Sequence, residues 1–141
     1  VFGIEAEGTD INSGKLNHEG YISVARQLAQ RFGCKKVAIT LRSSISASIN
    51  DWAGMLYSKD EDAAHFSTTY HIQIVDRVGG GDSFGGGLIY SLLSGYDDQK
   101  AIDFAVAASC LKHSIEHDFN QVSVTEVTAL AAGNASGRVQ R

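Results

Sequence analysis

From residue 17 onward, Ile22, Ala25, Leu28, Ala29 and Phe32 recur with a period close to 3.6. That spacing predicts an amphipathic helix over 17–32, ended by Gly33. Lys36-Val37-Ala38-Ile39-Thr40-Leu41 follows as a nearly continuous apolar run, the pattern of a strand covered on both faces. Helix, glycine turn and buried strand in that order favour an α/β fold with a parallel sheet. Residues 46–52 alternate apolar with polar and 54–57 resume after a short break, which predicts a hairpin. The charged stretch 59–64 reads as a solvated loop, and 70–75 as another strand with Ile72 and Ile74 opposed to His71 and Gln73. Helices are expected over 88–93, ended by Gly95, over the Ala-rich 101–112, and over 125–132 with Thr125 as N-cap. Residues 1–4 read as the middle of an element, and 136–141 as a polar surface tail.

Composition narrows the classes. The 141 residues, 43% hydrophobic and 20% charged, suit one compact domain and exclude disorder. A net charge of −4, with no basic run beyond Lys35-Lys36, argues against a nucleic-acid partner. No stretch approaches the roughly 20 apolar residues of a membrane helix, and no charged-then-apolar pattern opens the chain, so secretion is not expected. Cys34 and Cys110 have no paired spacing, so both are expected to be reduced thiols in a cytoplasmic protein. The first residue is Val1 rather than Met, the mark of a piece of a longer polypeptide.

The densest signal is Gly79-Gly80-Gly81-Asp82-Ser83-Phe84-Gly85-Gly86-Gly87, which holds six of the chain's 15 glycines. A strand, a glycine turn and a helix in series form an anion site, because the first N–H groups of the helix are unpaired and its dipole favours negative charge. No lysine follows the glycines as a Walker A loop requires, and Phe84 stands where the dinucleotide fingerprint needs its third glycine. What remains is an acid inside the turn. Asp82 suits a base that accepts a hydroxyl proton beside developing phosphoryl charge. The plainer alternative is a helix cap, which contributes about 1 kcal/mol. Both stay open on the residues alone, although a cap has no need of three preceding glycines.

The segment Asp76-Arg77-Val78-Gly79-Gly80-Gly81-Asp82-Ser83-Phe84 resembles the second signature of the ribokinase-like, or phosphofructokinase-B, carbohydrate kinases. The resemblance extends to 37–41 and 101–112 and so to nearly the whole chain. It implies a three-layer α/β/α sandwich, of which residues 1–141 are the C-terminal, nucleotide-binding portion without the sugar-binding half and lid. By it, Asp82 is the catalytic base and also touches the acceptor hydroxyl, and the amides of Gly79, Gly80 and Gly81 form the anion hole. Thr40, Arg42, Ser43 and Ala108 are then expected at the nucleotide, and Asp118 at the substrate. Lys112-His113-Ser114-Ile115 and the tail 136–141 point, within the family, to kinases of keto-sugar acids, with 2-keto-3-deoxygluconate as acceptor. Other sugars (ribose, fructose, a nucleoside) and a non-catalytic nucleotide-binding module are the alternatives. The family also implies ATP, Mg2+ held by residues upstream of this chain, room for a monovalent cation, and a homo-oligomer; no metal ligand is assigned here.

The chain departs from the pattern in three places. Arg42 stands where the family has glycine, Arg77 replaces the threonine after the first acid, and the Asn-x-x-Glu motif linked to magnesium is absent. Elsewhere, His113-Ser114-Ile115-Glu116-His117 has metallopeptidase spacing, but it lies at a helix end with no third ligand. Exposed histidines favoured by the helix dipole are the better expectation. Asp118 could equally be a turn former before Asn120. Ser83 has no paired histidine, which leaves a nucleophile role weak. Trp52 and Phe84 are read as core.

Overall fold

The computed structural model describes residues 3–4 and 18–133. In order they form α1 (His18–Phe32), β1 (Lys36–Ser44), β2 (Ile49–Ser58), β3 (Ala63–Phe66), β4 (Tyr70–Gln73), α2 (Gly80–Leu93), α3 (Asp98–Lys112) and α4 (Val124–Ala131). Asn17, the opening Val1-Phe2 and the tail 136–141 lie outside the described residues.

β2 organises the molecule, because its alternate side chains feed two cores. Ala53, Met55 and Tyr57 face α1 and pack with Ala25, Ala29 and Leu41. Trp52 and Leu56 point the other way, onto Ile72, Phe84, Ala101, Ile102, Ala105 and Val106. The sheet is therefore covered on one side by α1 and on the other by α2 and α3, the three-layer α/β/α sandwich expected. α4 packs Val127 against Phe104, Ala107 and Ala108 on the outer side of α3. Burying Met55 and Leu56, both 0% exposed, contributes roughly 1.5–3 kcal/mol each.

The sheet differs from expectation in direction. β1 pairs with β2, and β2 with β3 and β4, all antiparallel, so no parallel pair occurs among the described residues. Within this set β1 is an edge strand, which is why Val37, Ala38 and Ile39 are only half-buried and Thr40 is exposed. A run that looks covered on both faces has a partner along one side only. The hairpin lies elsewhere too: it joins β1 to β2 through 45–48, and β2 continues unbroken across Gly54. Only 59–62 turn, since Ala63 already belongs to β3.

Two helix starts also moved. α2 begins within the glycine run at Gly80 rather than after it. α4 is capped by Ser123, whose hydroxyl accepts from the Glu126 N–H while the Glu126 carboxylate accepts from the Ser123 N–H. This reciprocal box outcompetes Thr125, which falls inside the helix. Gly33, at φ 70°, ends α1 as its position promised.

Gly54 shows how closely sheet and helices approach. A Cβ there would stand 2.7 Å from Val106 Cγ2 and 3.1 Å from both Ile102 Cδ1 and Phe84 Cε2. Gly54→Ala is therefore expected to lower stability by about 1–3 kcal/mol in urea denaturation, and Gly54→Ala/Val106→Ala to recover part of that loss.

Candidate functional site at the glycine turn

The glycine turn is held from below by the end of α3. Leaving β4, the chain donates Val75 N–H and Asp76 N–H to the His113 carbonyl, at 2.8 and 3.3 Å. The Asp76 carboxylate then accepts from Val78 N–H (3.0 Å) and His117 N–H (2.9 Å). These donors, Val78 foremost, hold the Asp76 carboxyl below its ordinary range, helped by the charge of Lys112. Arg77 reaches across to the Ala47 carbonyl. Gly79 adopts φ 78°, a left-handed conformation that only glycine enters without cost, and is the N-cap of α2.

Two side-chain-free positions make the contact possible. A Cβ on Gly79 would stand only 2.0 Å from the Asp118 carbonyl oxygen, and one on Gly80 would lie 2.7 Å from the His113 ring. Ser109 Oγ donates to the Gly80 carbonyl at 2.8 Å. His113, almost wholly buried between this turn and Trp52 (ring centroids 4.7 Å apart), meets the Ser109 carbonyl at 2.6 Å through Nδ1. A carbonyl only accepts, so Nδ1 carries the proton. Desolvation depresses the His113 pKa, opposed by that hydrogen bond and reinforced by the charges of Lys112, Arg77 and Arg42. The dipole-favoured, exposed cation expected at this position is thus corrected: His113 is buried, and its depressed pKa favours the neutral form. His117 lies beyond the helix at φ 64°, so the two histidines share no helix face.

Asp82 is the third residue of α2 and is exposed. It is not the cap, because Gly79 holds that position and no side chain closes the helix end. The free amides differ from expectation in one respect. Gly80 N–H turns back to the Arg77 carbonyl at 3.2 Å, whereas no hydrogen bond among the described residues uses the N–H of Gly79, Gly81 or Asp82. The unspent donors at the turn are therefore Gly79, Gly81 and Asp82.

Beside Asp82 opens a cleft of about 250 Å³, lined by Ser83, Gly86 and Gly87 of α2, Ala108 of α3, and Asn120 and Val122 before α4. Asn120 Nδ2 donates to the Ala108 carbonyl at 3.2 Å, and its Oδ1 accepts from Val122 N–H. The sequence singled out Ala108 but not Asn120, Gly86 or Gly87 as lining, since nothing in their spacing marks a wall shared by three elements. A larger hollow, about 330 Å³, lies at the opposite end of α3 around Tyr96, Lys100 and Phe104, away from the glycine turn.

Thr40, Arg42 and Ser43 sit on β1, across β2 from the turn. Arg42 pairs in register with Trp52 and lies within electrostatic reach of His113, while Thr40 pairs with Gly54. Asp118 meets Gly79 through its backbone carbonyl, and no hydrogen bond among the described residues uses its carboxylate. Magnesium finds no cluster beside the turn. Among the described residues, the group of three His, Cys, Asp or Glu side chains near enough to share an ion is Glu61, His65 and Asp98. It lies at the far end of α3, with Asp98 already gripped by Lys36 Nζ at 2.5 and 2.6 Å. Among the described residues, no such group of three therefore lies at Asp82.

A family model for "pfkB family carbohydrate kinase" matches residues 10–116, the span that contains the turn and its helix. The chain belongs to the pfkB family of carbohydrate kinases. Two solved structures resemble it over most of its length. A 2-dehydro-3-deoxygluconokinase from Thermotoga maritima is 48% identical with a TM-score of 0.84, over 94% of this chain and 38% of that one. A PfkB family carbohydrate kinase from Listeria grayi is 30% identical with a TM-score of 0.71, over 85% of this chain and 36% of that one. The chain thus spans well under half the length of these pfkB relatives, and its ribokinase-like architecture is theirs.

Two outcomes follow from this geometry. Gly79→Ala is expected to cost about 1–3 kcal/mol, whereas Gly81→Ala, whose Cβ meets nothing within 4 Å, changes stability by less than about 1 kcal/mol; thermal melts of the two variants check this. His113 has a folded pKa below its unfolded value of about 6.5, so the unfolded state binds the extra proton. Stability is then complete above that value and falls as pH drops below it. Melting temperatures from pH 7.5 to 5.5 should decline less steeply in His113→Gln than in the parent.

Proposed function

We propose that the full protein containing this chain transfers the γ-phosphoryl group of ATP to a keto-sugar acid, converting 2-keto-3-deoxygluconate to its 6-phosphate. One observation carries the reading: an exposed, uncapping carboxylate, Asp82, stands at a helix start whose nearest amides are unspent. The kinship to a 2-dehydro-3-deoxygluconokinase at 48% identity supports the choice of acceptor.

In this reading Asp82 accepts the proton of the acceptor hydroxyl as its oxygen attacks the γ-phosphorus. The bond from that phosphorus to the β,γ-bridging oxygen breaks, and ADP leaves with the electron pair. The N–H groups of Gly79, Gly81 and Asp82 stabilise the charge on the migrating group, aided by the dipole of α2. Gly80 shapes the turn and donates nothing outward. The nucleotide occupies the cleft floored by Ala108 and Gly87, with Arg42 and Ser43 contributing from β1, and Asp118 faces the acceptor. Mg2+ would neutralise the phosphates when bound, held by residues beyond this chain.

The chain alone holds the base and anion turn but spans 38% of its 48%-identical relative, so we propose that it does not turn over by itself. The unpaired Cys34 and Cys110 fit a reducing cytoplasm. No described helix is long and apolar enough to cross a membrane. A homo-oligomer remains part of the proposal on family grounds.

Asp82→Asn in the full-length protein is expected to lower kcat by roughly 10²–10⁴-fold with ATP binding retained. Coupled assays with 2-keto-3-deoxygluconate, fructose and ribose check both base and acceptor. Near-normal turnover of the variant refutes the role of Asp82, and preference for fructose or ribose refutes the acceptor.

A further inference from the structure

Lys112 closes α3 with its side chain fully buried, and Nζ donates to the Ile115 carbonyl at 3.0 Å. Lysine is rarely buried without a partner, because removing an amine from water is costly. Here the amine lies under the turn that follows α3. That stretch makes several of the contacts to the glycine turn: the His113 carbonyl receives Val75 and Asp76, His117 N–H reaches Asp76, and Asp118 presses on Gly79.

We propose that Lys112 is a positioning residue for the anion-binding turn, bracing residues 113–118 from inside so that they clamp Gly79 and Gly80. The charge of Lys112 also contributes to the lowered Asp76 pKa. The catalytic consequence rests on the kinase reading above; the bracing does not.

The test uses the full-length protein and Lys112→Met, which keeps the length of the side chain and removes the donor. Amide hydrogen exchange should accelerate about tenfold or more in 79–82 and 113–118, and remain unchanged in α1 and β3. In the same variant, kcat should fall at least about tenfold while KM for the sugar acid stays within about twofold. Unchanged exchange at the two segments, or acceleration spread evenly through the protein, overturns the proposal. Where Lys112→Met fails to fold, Lys112→Gln, which keeps a shorter donor, is read for the same exchange pattern, and unchanged exchange at the two segments overturns the proposal there too. A wild type without turnover on any sugar defeats the kinase reading instead, and the exchange pattern then decides this one.

Discussion

The site depends on backbone meeting backbone without side chains between. Gly79 and Gly80 lie against the Asp118 carbonyl and the His113 ring at distances that no Cβ permits. This contact accompanies the left-handed turn at Gly79, and the amides of Gly81 and Asp82 that follow have no hydrogen-bond partner among the described residues. Everything else at the site is support. Ser109 holds the Gly80 carbonyl, and Asp76 ties the exit of β4 to the turn beyond α3.

The layering explains how such a contact is kept in place. α3 is the central helix, buried on the sheet side through Ala105 and Val106 and on the outer side through Phe104, Ala107 and Ala108. Its small residues admit α2 closely; a Cβ on Gly87 would stand 3.2 Å from Ala105 Cα. A helix packed on two sides is a rigid support, and the glycine turn is tied to its C-terminal end. Preorganised donors on rigid supports stabilise developing charge without reorganising during the reaction.

Much of this was legible in the sequence, for identifiable reasons. The 3.6 period of α1, the alternation that made β4, and the glycine run with its acid are local patterns, and local patterns survive folding. The sheet direction was misjudged because the apolar run 36–41 reports hydrophobicity and not pairing, and within the described residues β1 pairs along one side only. Thr125 lost the N-cap because Ser123 with Glu126 forms a two-way box. His113 reads as a surface group at a helix end, and nothing in the spacing marks Lys112 as buried. The His113 ring lies against Trp52 and the glycine turn, both distant in sequence, and no spacing rule encodes that. The same holds for Gly80, whose amide is spent on Arg77.

The central claim is that the outward amides of this turn receive phosphate. Amide NMR shifts of the full-length protein, titrated with a non-hydrolysable ATP analogue, test it most directly. The account predicts downfield shifts of the Gly79, Gly81 and Asp82 amide protons, with smaller changes along the cleft at Ala108 and Asn120. Shifts confined to the hollow around Tyr96 and Lys100, with Gly81 and Asp82 unmoved, would contradict it.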